Sequence, residues 1–230
     1  MVQPKILITG GTGFAGSHLV EALLEQGYTD IHVTSYAGED AFTEKLIGVD
    51  NIHRLNLTNK QETAELFSKL QPTQIYHLAA LAFVGKSFDE ADTVLMNNIT
   101  LQQNVLLAVR DYCKTARLLV VGSAEEYGVS ISDDEVPVSE QHPFRPINPY
   151  AVSKVAQDML AYSYYISYGL DIVTVRPFNH IGERQSTDFA IPAFTKQIVA
   201  IENGEQTELK VGSLDTIRDF TDVKDMVRAY

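Results

Sequence analysis

The chain has 230 residues, of which 45% are hydrophobic and 21% are charged, a composition typical of a globular protein with one sizeable core and one or two domains. Its formal net charge of −12 argues against nucleic acid or an anionic membrane surface as a partner. A single cysteine, Cys113, excludes an internal disulfide. No apolar segment approaches membrane-spanning length and no signal peptide follows Met1, so we expect a cytoplasmic protein.

The first thirty residues combine a strand, a glycine turn and a helix. Residues 5–9 form a short apolar run typical of a strand buried on both faces, and residues 17–26 have helical periodicity. Between them, Gly10 permits a tight turn, Gly13 lets a pyrophosphate approach the backbone, and Gly16 permits close packing of helix and strand. This order predicts a dinucleotide site, with a glycine-rich turn that binds no ligand as the alternative.

A second strand is predicted at residues 31–35, and its end bears on the choice of cofactor. A carboxylate there would bind the ribose 2′-hydroxyl of NAD and repel the phosphate of NADP. The chain instead shows Ser35 and Tyr36, with Glu39 and Asp40 further along. The absence of an acid at the strand end favours NADP, with NAD as the alternative, although no arginine stands there to bind the phosphate.

Strands and helices alternate through the rest of the chain. This alternation predicts an α/β fold, a doubly wound parallel sheet with right-handed crossovers. Ligands of such sheets bind at the carboxyl ends of the strands. An acidic loop between Val129 and Asn148 is interpreted as a lid or an edge. The remaining strands are predicted at residues 51–55, 74–78, 116–122, 170–176 and 209–212, and the helices at residues 59–70, 89–113, 150–168, 188–203 and after residue 218.

Two short segments carry candidate catalytic chemistry. Tyr150 and Lys154 are four residues apart on a predicted helix and therefore share one face. An ammonium beside a phenol lowers the phenol pKa towards the range of a general acid or base, and an ordinary surface pair is the alternative. Ser123, at the end of a predicted strand, can bind a substrate oxygen, and Glu125 can act as a base or bind a sugar hydroxyl. The alternative there is a turn serine beside two solvated glutamates.

The chain contains five motifs in register: Thr9-Gly10-x-x-Gly13-Phe14-x-Gly16, His77-Leu78-Ala79-Ala80, Ser123, Tyr150-x-x-x-Lys154 and Arg176-Pro177-x-Asn179. Together they resemble the extended short-chain dehydrogenase/reductase family, also described as the NAD-dependent epimerase/dehydratase family. Segments 176–182 and 211–225 look most similar to the GDP-4-keto-6-deoxy-D-mannose reductases, whose nearest relatives are the GDP-mannose 4,6-dehydratases. The resemblance implies a Rossmann fold, a GDP-linked sugar as substrate and a homodimer.

The resemblance also implies roles for individual residues. Tyr150 would donate a proton, and Lys154 would bind the nicotinamide ribose and lower the Tyr150 pKa. Ser123 would hold the substrate oxygen. Asn179 would contact the substrate and Arg218 its diphosphate, and no metal is implied. The cofactor contacts that it implies besides Tyr150 and Lys154 are Gly10, Thr12, Gly13, Phe14, Ala15, Gly16, Ser35, Asn56, Leu57, Leu78, Ala79, Ala80 and Pro177.

The chain departs from the family pattern at three positions. Where the similar dehydratases show the pattern Thr-(Asp/Ser)-Glu, this chain has Ser123-Ala124-Glu125. Ala124 therefore favours a reductase, while Glu125 leaves a dehydratase as an alternative. Asn56 stands where the family usually has an aspartate near the adenine, and Tyr36 where such reductases often have an arginine.

Residues 1–176 are expected to form the NAD(P)-binding Rossmann domain, and residues 177–230 the start of a substrate-binding region that family members continue beyond Tyr230. Two further alternatives therefore stay open. One is an NDP-sugar 4-epimerase that retains NAD tightly, and the other is a nucleotide-binding fragment without catalytic activity.

Overall fold

The protein is described by a computed structural model that covers residues 3–36, 38, 40–82, 88, 90–128 and 135–230. Six strands form one parallel sheet: β1 (Ile6–Thr9), β2 (Ile31–Ser35), β3 (Ile52–Arg54), β4 (Gln74–His77), β5 (Arg117–Val121) and β6 (Asp171–Val175). Their order in the sheet is β3-β2-β1-β4-β5-β6. The order reverses between β1 and β4, which is the point where doubly wound sheets bind dinucleotides. The predicted fold is confirmed.

Helices connect the strands and cover both faces of the sheet. They are α1 (Phe14–Glu25), α2 (Ala41–Ile47), α3 (Lys60–Leu70), α4 (Ala91–Tyr112), α5 (Pro149–Tyr168), α6 (Ala190–Glu202) and α7 (Val223–Ala229). Short 3-10 helices span Val49–Asn51 and Ala124–Tyr127. Two further strands, β7 (Asn179–Ile181) and β8 (Phe220–Asp222), form a separate parallel pair.

The alternation of side chains along β1 divides the core into two clusters. Ile6 and Ile8 pack in one cluster with residues of α1 and α7, whereas Leu7 packs in the other with residues of α3, α4 and α5. Because successive side chains of a strand point to opposite faces, a continuous apolar run is what a central strand covered on both sides requires. All three side chains are fully buried.

Two parts of the C-terminal half differ from the sequence prediction. The strand predicted at residues 209–212 is wrong, because these described residues form no strand. The backbone of Lys210 bonds instead to the side chain of Gln197 on α6, which donates to the Lys210 carbonyl (3.0 Å) and accepts from its amide (2.8 Å). The β7–β8 pair was not predicted. The loop expected from Val129 to Asn148 is described only from Glu135 onward, and the division into domains at residue 176 stays a prediction.

Candidate active site

The glycine turn lies at the carboxyl end of β1 and fits a dinucleotide. Gly10 has a φ of +70°, and a Cβ there would lie 3.0 Å from the Cα of Ala79. A Cβ on Gly16 would lie 2.3 Å from the carbonyl oxygen of Gly10, so only glycine permits this approach of helix to turn. Gly13 precedes α1 without a side-chain cap. The amides at the start of α1 therefore remain available to a phosphate.

Asn148 anchors the start of the helix that carries Tyr150. Its side-chain oxygen accepts a hydrogen bond from the Ala151 amide (2.8 Å), and Pro149 occupies the first turn. The side-chain nitrogen of Asn148 donates to the Glu125 carboxylate (3.1 Å). The sequence analysis did not single out Asn148, although an asparagine directly before a proline at a helix start is a signal for an N-cap.

Tyr150 and Lys154 are both buried on α5 and close to each other. The Lys154 Nζ atom lies 5.9 Å from the centre of the Tyr150 ring and donates to the Val121 carbonyl (2.8 Å). Burial lowers the pKa of Lys154 to about 8. Burial also raises the pKa of Tyr150, and a side-chain hydrogen bond with Ser123 opposes this rise. The expected lowering of the Tyr150 pKa is therefore wrong, because loss of hydration and the charges of Glu125 and Glu126 outweigh the hydrogen bond with Ser123.

Ser123 follows β5 and caps the 3-10 helix that begins at Ala124. Its hydroxyl oxygen accepts from the Glu125 amide (3.2 Å). The Ala124 amide donates to the Pro177 carbonyl (2.9 Å), which ties this loop to the segment after β6. The sheet edge thus brings Ser123, Glu125 and Pro177 to the start of α5, where Tyr150 lies.

Glu126, Asp158 and Arg176 form a largely buried ion cluster next to Ser123. Glu126 is 0% exposed, and its carboxylate accepts from the Ser123 amide (2.8 Å). Arg176, at the end of β6, lies between Glu126 (3.3 Å) and Asp158 of α5 (2.7 Å). The alternative of two solvated glutamates is therefore wrong for Glu126. Sequence reasoning missed it because Glu125 and Glu126 are adjacent and chemically identical.

A second group of polar side chains lies at the carboxyl ends of β2 and β3. The Thr12 hydroxyl donates to Ser35 (3.3 Å), and the Ser35 hydroxyl donates to the buried carboxylate of Asp40. The other Asp40 oxygen accepts from Arg54 Nε (2.8 Å). Ser35 and Arg54 are register partners in the parallel sheet. An arginine therefore does lie at this strand end, which the sequence analysis missed, whereas Glu39 lies outside the described residues.

Three predicted cofactor contacts have structural roles of their own. The Asn56 side chain accepts from the Thr58 amide (3.0 Å) and stabilises a local turn. Leu57 is a core residue whose carbonyl accepts from Asn104 (2.9 Å). Leu78 packs against the core cluster of α1. Their contact with a cofactor stays a prediction.

The segment after β4 lies beside the glycine turn. His77 is buried, and its Nδ1 atom lies 2.6 Å from the Thr9 hydroxyl. Burial and the nearby charge of Lys154 lower the pKa of His77 to about 3, so the imidazole stays neutral. The Ala79 amide also bonds to the Thr9 hydroxyl (3.3 Å). Ala79 and Ala80 are half-buried.

The residues implied for substrate binding lie further out. Asn179 is exposed in β7 and donates to the Asp219 carbonyl (3.3 Å). Arg218 is exposed before β8 and donates to the Ile217 carbonyl (2.8 Å). The hydrogen bonds that the structure describes for these two side chains run to backbone carbonyls, and their substrate contacts stay a prediction.

Phe14 and Ala15, at the start of α1, connect the glycine turn to the C-terminal segment. Both pack against the core cluster of α1. The Phe14 ring also stacks on His180 of β7, with a centroid distance of 5.8 Å. Among the described residues, no group of three or more histidine, cysteine or acidic side chains could hold a metal ion. Within the same part of the chain, no helix is both long and apolar enough to cross a bilayer.

The fold and this grouping of residues define an NAD(P)-dependent enzyme class built on a Rossmann sheet. The sequence model described as GDP-mannose 4,6 dehydratase matches residues 7–230. The chain is 32% identical to the GDP-6-deoxy-D-mannose reductase of Pseudomonas aeruginosa, a match that covers 98% of this chain and 69% of that protein. It is 30% identical to the GDP-mannose 4,6-dehydratase of Vibrio cholerae, and this match covers 99% of this chain and 63% of that protein. The chain therefore belongs to the GDP-mannose 4,6-dehydratase family.

Solved structures agree with this assignment. RMD from Pseudomonas aeruginosa complexed with NADPH is similar with a TM-score of 0.84 and 30% identity, over 99% of this chain and 71% of that one. UDP-glucose 4-epimerase from Thermus thermophilus in complex with NAD has a TM-score of 0.84 and 28% identity, over 97% of this chain and 72% of that one. The predicted resemblance, the enzyme class and the cofactor class are thus confirmed.

Proposed function

We propose that this protein uses NADPH to reduce the 4-keto group of a GDP-linked 4-keto-6-deoxymannose. The observation that carries the proposal is the grouping of Ser123, Tyr150 and Lys154 beside Ala124. The methyl group of Ala124 offers no proton for the elimination of a sugar hydroxyl, which a dehydratase requires. The relatives named as a reductase and a dehydratase support a GDP-linked sugar as the substrate.

The reaction requires an acid next to the keto oxygen. The reduced nicotinamide, when bound, supplies a hydride to the keto carbon. Tyr150 donates its phenolic proton to the oxygen, and Ser123 holds that oxygen by a hydrogen bond. Because the Tyr150 pKa lies above neutral pH, the phenol is protonated there and has a proton to donate. Lys154 binds the nicotinamide ribose, and the glycine turn binds the pyrophosphate.

Arg54 supports NADP as the cofactor. Its side chain is half exposed, and its Nε atom is held by the buried Asp40 carboxylate. One of its terminal nitrogens lies 3.9 Å from the Glu44 carboxylate, at the carboxyl edge of the sheet, where we place the adenosine ribose of a dinucleotide. Arg54 thus supplies the cation that Tyr36 does not. Asp40 is already bonded to Ser35 and Arg54, so it is a poor acceptor for the 2′-hydroxyl of NAD.

A product analysis tests the reaction. The protein is incubated with NADPH and either GDP-4-keto-6-deoxymannose or GDP-mannose, and the sugars are identified by mass spectrometry. We expect the keto sugar to gain two hydrogen atoms while NADPH is consumed, and GDP-mannose to remain unchanged. Loss of water from GDP-mannose with no net consumption of cofactor would contradict the proposal and assign a dehydratase.

The dehydratase reading has one observation in its favour. Asn148 holds the Glu125 carboxylate in a fixed position at the start of α5, as a base that removes a sugar C5 proton would need. The similarity to an NAD-bound epimerase makes an NDP-sugar 4-epimerase a third candidate. An epimerase would retain NAD through purification, which the absorbance of the purified protein detects.

The chain spans 63–69% of the length of these two relatives, so a nucleotide-binding fragment without turnover is the remaining candidate. It would bind NADPH in a calorimetric titration and leave the keto sugar unchanged. We also propose a homodimer that is formed by α4 and α5 across a two-fold axis. Its support is a set of exposed apolar side chains on these helices: Met96, Val152, Met159, Tyr162 and Ile166.

A further inference from the structure

The loop that carries Ser123 is held by the carboxylate of Glu126, which has no contact with solvent. The Glu126 Oε1 atom accepts from the Ser123 amide, and the Ser123 hydroxyl accepts from the Glu125 amide. A Cβ on Gly122 would lie 2.3 Å from Glu126 Oε1, so the preceding residue leaves space for this carboxylate. The position of Ser123 therefore depends on Glu126.

Arg176 joins this carboxylate to the helix that carries Tyr150. Its guanidinium group is 3.3 Å from Glu126 and 2.7 Å from Asp158. Tyr150, Lys154 and Asp158 are spaced by four residues on α5 and so follow one face of the helix. The bridge from Glu126 through Arg176 to Asp158 fixes the distance between the loop and this face.

The charges around Glu126 make the bridge sensitive to pH. Burial raises the pKa of Glu126 to about 7, and the charge of Asp158 acts in the same direction. The Ser123 amide, Arg176 and Lys154 lower it. Glu126 thus changes charge close to neutral pH. The ionised form attracts Arg176 and strengthens the bridge, whereas the protonated form weakens it.

We infer that Glu126 is a positioning residue, which sets the place of Ser123 relative to Tyr150 through Arg176 and Asp158. Glu126 itself touches neither substrate nor cofactor in this arrangement. The effect on turnover rests on the proposed reductase function, whereas the effect on the position of Ser123 does not. The two parts can therefore be tested separately.

The first measurement is hydrogen exchange at the Ser123 amide, which needs no turnover. The variants are Glu126→Gln, which keeps an acceptor for this amide, and Glu126→Ala, which removes it. Glu65→Ala, at an exposed site on α3, is the matched control, and the Leu118 amide of β5 reports global opening. We expect exchange at Ser123 to rise about tenfold or more in Glu126→Ala alone, with Leu118 unchanged. Equal protection of Ser123 in all variants would overturn the inference.

The second measurement is the pH profile of turnover of the keto sugar. We expect Glu126→Ala to lower kcat about 10–100-fold at unchanged KM, because small displacements of a catalytic group have effects of this size. In wild type, kcat/KM should rise through about pH 7 as Glu126 ionises. Glu126→Gln should lose this rise while retaining amide protection.

A rise through pH 7 that persists in Glu126→Gln, with a normal kcat in Glu126→Ala, would show that the cluster supports only the fold. If wild type turns over no sugar, the proposed reductase function is wrong. The exchange experiment alone then decides whether Glu126 positions Ser123.

Discussion

Burial of Lys154 brings the pKa of its ammonium group into the mildly alkaline range, so the positive charge in the site changes with pH there. Its pKa is lowered from 10.5 to about 8, mainly because burial removes water from the ammonium group. Loss of the Lys154 charge would weaken its hydrogen bond to the Val121 carbonyl and the one that it would make to ribose, because hydrogen bonds from a charged donor are stronger. We therefore expect kcat/KM to fall as the pH rises through about 8, and a profile that stays flat to pH 10 would contradict this role.

Arg54 is a residue whose role depends on the cofactor. An Arg54→Ala substitution should weaken NADPH binding by roughly 10–100-fold, since a hydrogen bond to a charged group contributes about 1.5–3 kcal/mol. NADH binding should change much less. Arg117→Ala, which removes an exposed ion pair with Asp171, is the control, and calorimetric titration measures both cofactors. Equal losses for NADPH and NADH would contradict contact with the 2′-phosphate.

The Arg54–Asp40 pair and the Glu125–Glu126 loop, both at strand ends, show why part of the site cannot be predicted from sequence. Arg54 and Asp40 are fourteen residues apart, and they meet only because β2 and β3 run in register. Glu125 and Glu126 are neighbours, yet one bonds to Asn148 and the other is buried against Arg176. Register and burial are tertiary properties, so residue type and spacing alone do not predict them.

At the scale of elements, the glycine turn is the part that sequence predicts best, because it depends on local sterics. Gly16→Ala should destabilise the protein, since the new Cβ would lie 2.3 Å from the Gly10 carbonyl oxygen. Gly13→Ala should destabilise the protein less, because its Cβ would lie 3.2 Å from that oxygen and requires only a small shift, but it should bind NADPH more weakly. Thermal unfolding and calorimetric titration measure these effects. Normal NADPH binding and stability in Gly16→Ala would contradict the role assigned to the turn.

The elements after residue 177 are predicted less well than those before it. The strands of the main sheet are short apolar runs between clear turn signals, so their sequence pattern is strong. β7 and β8 have three residues each and mixed polarity. Residues 209–212 alternate in polarity as a strand does, but the backbone of Lys210 is instead hydrogen-bonded by the side chain of Gln197. The Gln197 side chain of α6 thus makes the backbone hydrogen bonds that a neighbouring strand was expected to make.

At the scale of the molecule, one face of α5 is apolar and exposed. Met159, Tyr162 and Ile166 are spaced by three and four residues, so they lie on the same side of the helix. If this side forms the proposed homodimer, Tyr162→Glu should shift the mass measured by light scattering from dimer to monomer. Ser68→Glu, on the exposed side of α3, should leave the mass unchanged. A monomeric wild type would contradict the homodimer.

The central claim is that Tyr150 donates the proton in an NADPH-dependent reduction. Its most direct test is the rate of NADPH oxidation with GDP-4-keto-6-deoxymannose in wild type, Tyr150→Phe and Tyr162→Phe. We predict that Tyr150→Phe lowers kcat by about 10²–10⁴, the range for loss of a general acid, while it binds NADPH as wild type does. Tyr162→Phe, which alters an exposed tyrosine of the same helix, should be fully active. Wild-type turnover in Tyr150→Phe would contradict the account.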